Sequence, residues 1–235
     1  MLRVSRMPSG EPEIFRSVQG EGVSAGTPTV FLRLATCNLA CSWCDTKYTW
    51  DWDSYDFDEQ VMPMEESDLE ERILGFDLPH LVITGGEPLM QQKALGPLAL
   101  SLNRRGLFCE VETNGTLAPQ PEMVDAVSQW NVSPKLGNSG NSRDRREVPE
   151  ALRAFRDLET AYFKFVVVDP FDIDEVLSLS NKHDLPAERV VLMPEGTSAA
   201  AINDRGRWLA EACAEHGFRF STRLHILLWG DQRGR

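Results

Sequence analysis

The chain has 235 residues, 42% of them hydrophobic and 26% charged, a globular composition that excludes a disordered chain. Lys and Arg number 24 against 36 Asp and Glu, for a formal net charge of −12. Such acidity argues against sequence-independent binding of nucleic acid and against docking on anionic lipid, both of which need a cationic face. The N-terminal MLRVSRMPSGEPE has no apolar core behind its basic residues, so no secretory signal is expected. No apolar run approaches the roughly 18 residues of a membrane span, and a cytoplasmic protein is the expectation.

In chain order, the first strand expected is TVFLRLAT at 29–36. Three cysteines follow it at once, Cys37, Cys41 and Cys44, and then an acidic, aromatic stretch at 45–66 without clean periodicity. That stretch is expected to be a loop or irregular insert, its aromatics packed locally. A helical pattern at 66–74 precedes the strand HLVITG (80–85), and TGGEP (84–88) closes that strand. Further strands are expected at 108–114, 130–134, 162–168, 189–194 and 223–229, the last being RLHILLW. Helices are expected at 89–104, 121–129, 149–158, 173–182 and 198–215, with Ser198 as an N-cap and Gly106 and Gly217 as stops.

Repeated strand–helix alternation indicates a parallel sheet with crossover helices. About six units are too few for a closed eight-stranded barrel, so the expectation is an α/β fold with an open, shortened parallel β/α barrel, in a single domain over 1–235. Ligands then belong at the C-terminal ends of the strands. The unusual residues do gather there: the cysteines, Gly-Gly-Glu-Pro, Glu-Thr-Asn-Gly, Ser-Pro-Lys and Met-Pro-Glu-Gly.

The cysteines are spaced C-x3-C-x2-C. Three soft thiolates on one short loop can wrap a 4Fe–4S cube and leave one iron open to a small molecule. Zinc completed by a distant residue, or simple burial, are the alternatives. Zinc sites more often pair two C-x2-C knuckles, and only one is present. The two glycines of TGGEP permit close approach of a ligand, and Glu87 could balance a ligand ammonium. Arg33 stands among apolar strand residues, where an idle charge is costly. Cys109 and Cys213 read as structural. His80, His183 and His216 read as surface or helix-end residues. His225, in the last expected strand, could face the site, and so could Glu112 and Asn114.

The cysteine spacing and GGEP together resemble the radical SAM superfamily. Within it, Glu13-Ile-Phe-Arg-Ser-Val-Gln-Gly-Glu-Gly22, Phe31-Leu-Arg-Leu34, Cys44-Asp45-Thr46 and Ser133-Pro134-Lys135 resemble the 7-carboxy-7-deazaguanine synthase family. The resemblance implies a lyase of 7-deazapurine (queuosine-type) biosynthesis. Its cofactors are a 4Fe–4S cluster on Cys37, Cys41 and Cys44, S-adenosylmethionine on the open iron, and magnesium on Thr46. A 5′-deoxyadenosyl radical takes a hydrogen from C6 of 6-carboxy-5,6,7,8-tetrahydropterin, and the ring contracts with loss of ammonia. It further implies cofactor contacts from Trp43, Cys44, Asp45, Gly86, Ser133, Pro134, Lys135, Met193, Pro194 and Glu195. Substrate contacts fall to Val18, Gln19, Gly20, Arg33 and Thr84, with an N-terminal substrate segment at about 11–28. Gln19 would pair with the pterin edges and Arg33 with its carboxylate. A homodimer and an electron donor such as flavodoxin or ferredoxin complete the picture. The competing readings are a radical SAM activase of a partner protein, which should lack the SVQGEG–Arg33–Thr46 set, and a non-catalytic iron–sulfur protein, which should lack GGEP. Many members of the family end soon after the last strand. Here Trp229-Gly-Asp-Gln-Arg-Gly-Arg235 continues, which argues against a substrate contact from the tail.

Overall fold

The structure, a computed structural model, describes residues 1–235. All ten strands join one sheet: β1 (Leu2–Ser5), β2 (Ile14–Val18), β3 (Pro28–Leu34), β4 (Val61–Met64), β5 (His80–Gly85), β6 (Phe108–Thr113), β7 (Gln129–Val132), β8 (Ala161–Val167), β9 (Val190–Pro194) and β10 (Arg219–Phe220). Their order is β10-β9-β8-β7-β6-β5-β3-β1-β4, with β2 also on β3. The seven strands from β3 to β10 run parallel, and β1, β2 and β4 add antiparallel pairings. The sheet is open, as expected. Helices α1 (Phe57–Gln60), α2 (Glu66–Leu74), α3 (Gln92–Arg104), α4 (Pro121–Ala126), α5 (Arg143–Arg146), α6 (Pro149–Arg156), α7 (Phe171–Lys182), α8 (Ala199–His216) and α9 (Leu224–Trp229) follow in chain order. None is long and apolar enough to cross a membrane.

Successive side chains of a strand point to opposite faces, and that alternation divides the sheet. Leu32 and Leu34 of β3, Leu81 and Ile83 of β5, Val111 of β6, Phe163 and Phe165 of β8 and Leu192 of β9 belong to one buried core, which also holds Leu98 and Leu102 of α3, Phe155 of α6 and Leu209 of α8. The intervening residues, including Arg33, Thr84, Glu112 and Lys164, face the other way and line a cavity. The core face binds the helices and the polar face forms the site.

The expected helix limits held well for α8: Ser198 Oγ accepts from Ala201 N at 3.3 Å, and Gly217 stops the helix at φ +70. Two expectations fail. The run at 223–229 is the helix α9, not a strand. A six-residue apolar run has no period that separates the two, and Gly230, at φ +71, ends it. The stretch at 45–66 is not wholly irregular, because its end forms β4, paired with β1 from Leu2↔Met64 to Ser5↔Val61. Pro63 is tolerated there because β4 is an edge strand.

Candidate active site

On the face turned from the helices, Arg33, Thr84, Glu112, Ser133, Lys164, Val166 and Met193 line one cavity of about 220 Å³. Arg33 lies beside Thr84 in register, so the polar row crosses the sheet. Loops beyond the strand ends add Cys37, Cys41, Trp43, Cys44, Asp45 and Thr46 after β3, Gly86 after β5, Asn114 after β6, Lys135 after β7 and Glu195 after β9. The N-terminal segment contributes Val18, Gln19, Gly20 and Glu21, and Arg223, His225 and Arg235 close the wall. Of the residues expected at the site, Pro134, Pro194 and Glu87 do not line this cavity; all three are buried.

Each thiol meets an N–H donor. Asn141 Nδ2 donates to Cys41 Sγ at 3.3 Å, Trp50 Nε1 to Cys44 Sγ at 3.3 Å, and Leu39 N to Cys37 Sγ at 3.5 Å. Burial pushes the Cys37 thiol up to about 12 and raises Cys41 as well, so thiolates here need the charge of a bound metal. No three His, Cys, Asp or Glu side chains lie close enough to share a single ion. The three thiols share one cavity wall.

A second cluster sits under the cavity. Lys164 Nζ, on a side chain only 4% exposed, lies 2.6 Å from Glu21 Oε2 and 3.3 Å from Glu112 Oε1. Arg223 reaches Glu21 at 3.0 Å and also pairs with Asp45. Burial works against the charge on Glu21, but Lys164 and Arg223 outweigh it and hold the carboxyl far below its usual range. Burial opposes the charge on Lys164 too, and Glu112 and Glu21 overcome it. His225 is held down mainly by burial; a Cβ on Gly20 would collide with its ring, so glycine is required there.

Five sequence expectations need correction. Glu87 does not balance a ligand: it is fully buried outside the cavity lining and accepts from Leu89 N, Thr113 Oγ1 and Asn114 N at 3.0, 2.8 and 2.7 Å. The close approach that Gly85 and Gly86 permit is in the first place by the chain's own backbone, since a Cβ would strike Leu34 at the end of β3 or Thr36 just before the cysteine loop, although both glycines also line the cavity. The Gln19 amide is spent inside the chain, donating to Glu110 and Glu112 at 2.6 and 3.3 Å and accepting from Glu21 N at 3.2 Å. His80 is neither a surface nor a helix-end residue: it is buried at the start of β5 on Glu110 at 2.9 Å, whereas His183 does end a helix, α7, but is buried on Glu147 at 2.9 Å. The tail does reach the cavity, through Arg235.

The sequence reading passed over Lys164, Glu21 and Arg223. Lys164 carried the signal that singled out Arg33, a lone charge in an apolar strand.

The sequence model of the radical SAM superfamily matches residues 33–134, which span the thiols, Gly86, Glu112 and Ser133. A 7-carboxy-7-deazaguanine synthase of Pyrobaculum aerophilum is 39% identical over 95% of this chain and 96% of its own. One of Halobacterium salinarum is 36% identical over 93% and 90%. The crystal structure of QueE from Escherichia coli superposes with a TM-score of 0.70 at 29% identity, over 95% of this chain and 94% of that one. The chain belongs to the 7-carboxy-7-deazaguanine synthase family.

Membership of this radical SAM family implies a 4Fe–4S cluster and S-adenosylmethionine, and the residues present fit both. Three thiols with N–H donors on their sulfurs suit a cube, because such donors stabilise anionic sulfur. Beside the thiols, Lys135 Nζ lies 2.8 Å from Ser133 Oγ and 5.6 Å from the Trp43 ring centre. With Glu195 and the apolar Met193 and Val166, this is the mixed lining that a nucleoside with an amino-acid tail requires.

Proposed function

We propose that this chain converts 6-carboxy-5,6,7,8-tetrahydropterin to 7-carboxy-7-deazaguanine with loss of ammonia. The observation that carries the reading is that a single cavity holds three thiols and, on the same wall, a cation with free donors. Arg33 gives its Nε to Glu13 Oε1 at 2.9 Å, while its two Nη groups have no partner in the chain. A guanidinium with two open donors suits a carboxylate. Cys37, Cys41 and Cys44 would hold the cluster. Cluster and S-adenosylmethionine, when bound, supply one-electron hydrogen abstraction. The protein's part is to orient and desolvate the substrate. Glu112 and Glu21 present acceptor oxygens to the N–H-rich amidine edge of a pterin, and Lys164 and Gln19 hold those carboxylates in place.

Trp43, Asp45, Gly86, Ser133, Lys135, Met193 and Glu195 form the cofactor wall in this reading, with Pro134 and Pro194 shaping it from behind. Val18, Gly20 and Thr84 flank the substrate. Thr46 Oγ1, 3.5 Å from Cys44 Sγ, would hold a magnesium ion, a hard cation that would help to orient the substrate carboxylate. The five unpaired cysteines suit a reducing cytoplasm. An electron donor such as flavodoxin or ferredoxin supplies the electron, and the working form is a homodimer.

The test is anaerobic turnover of the reconstituted protein with the carboxytetrahydropterin, S-adenosylmethionine and a reductant. The expected product is lighter than the substrate by one ammonia. Cofactor cleavage that leaves the pterin intact would overturn the reading.

A further inference from the structure

Arg33 faces the cavity, yet its charge is not free by default. Glu13, its partner, is fully buried, and an isolated Arg33–Glu13 pair would be neutral and attract an anion only weakly. The tail alters that balance. Beyond α9 the chain turns at Gly230 and brings Arg233 onto the other oxygen of Glu13, with Nη2 at 2.9 Å and Nε at 3.1 Å from Oε2. The Arg233 guanidinium lies 3.5 Å from the centre of the Tyr48 ring, and the Tyr48 hydroxyl donates to Glu13 Oε1 at 3.0 Å. Gln60 Oε1 and Ser5 Oγ accept its remaining donors at 3.2 and 3.1 Å. Arg33 lines the cavity, whereas Glu13 and Arg233 do not. The other anion close to Arg33 is Asp45, which Arg223 engages.

We propose that Arg233 is a positioning residue for substrate binding: by neutralising Glu13 from outside the cavity wall, it leaves Arg33 with an uncompensated positive charge for the substrate carboxylate. Two arginines share one carboxylate, so one positive charge remains and is presented where donors are open. Tyr48 and the tail thereby join the recognition of an anion they do not touch. The inference rests on the carboxylated-pterin reading above.

The test uses anaerobic holoenzyme with S-adenosylmethionine and no reductant, at fixed magnesium, so that binding is read without turnover. Dissociation constants are measured for 6-carboxytetrahydropterin and for 6-methyltetrahydropterin, which lacks the carboxylate. Arg233→Gln should weaken the carboxylated pterin by about tenfold, the scale of one modest charge interaction, and the methyl analogue less than twofold. Arg233→Lys should retain most of the affinity, because the charge survives. Adding Glu13→Gln to Arg233→Gln should recover most of the loss, because the unbalanced anion is then gone. If both pterins weaken alike, if neither weakens, or if the double variant recovers nothing, Arg233 merely pins the tail and the proposal fails. A wild-type protein that does not prefer the carboxylated pterin overturns the substrate reading itself, and this inference with it.

Discussion

Around the thiols of the cavity, each sulfur meets one or two N–H donors and keeps capacity to spare; around Lys164, four charged partners are already interlocked, from Glu112 through Glu21 and Arg223 to Asp45. The first region is incomplete by itself and is finished by its ligand. The second is complete beforehand and meets the substrate with oriented groups, so little reorganisation is left for the reaction to drive. Asp45 joins the two, since it follows Cys44 directly and is tied to Arg223. Fixing that loop fixes both the thiols and the charged floor.

The largest effect expected is at the thiols. Replacing Cys37, Cys41 or Cys44 by Ala should reduce cluster absorbance and S-adenosylmethionine cleavage to background, while Cys109→Ala, buried in the core, keeps both. A cluster retained after loss of any one of the three would break the assignment. The charged region should respond in stability instead. Lys164→Met leaves buried carboxylates short of their cation, which costs about 3–5 kcal/mol and lowers Tm by roughly 10 °C in a chain of this size. An unchanged Tm would mean that the network is not preformed. The same variant has a pH signature. Glu21 is held below its ordinary 4.5, mainly by Lys164 and Arg223 against the cost of burial. Its contribution is therefore full above about pH 4.5 and is lost as pH falls towards the depressed folded value. Without Lys164 that folded value rises, so acid unfolding should begin at a higher pH than in the wild type. The smallest effect lies where the two regions meet. Thr46→Ala should blunt magnesium activation by less than the roughly hundredfold that a misplacement of about 1 Å costs, and Thr46→Ser should largely preserve it. Equal activation in wild type and Thr46→Ala would place the cation elsewhere.

The cysteine region was readable because its information is local: three ligands fall within eight residues, and a short loop cannot carry them far apart. The parallel strands were readable for a similar reason, since HLVITG and YFKFVVV are β-branched or aromatic runs buried on both faces. The edge strands were not. β1 and β4 are four residues each, too short to show a period, and they exist because they pair with each other across some 60 positions. Glu87 shows a subtler failure. Its place in GGEP marked it as important, but the direction of its side chain was set by the Thr113 and Asn114 donors of a different strand end.

The sequence by itself determined the alternation of strands and helices, the strand ends where chemistry gathers, and the thiol set, because each depends on spacing along the chain. Tertiary structure alone decided which charges are free. Glu21 meets Lys164 and Arg223, and Glu13 meets Arg233, at separations of 143, 202 and 220 residues. No periodicity records such pairings. They follow from the order in which the strands assemble and from the path by which α9 and the tail return to the N-terminal segment. A buried charge is stable only beside its counter-charge, so that assembly fixes whether Arg33 is a spent ion pair or an open binding group.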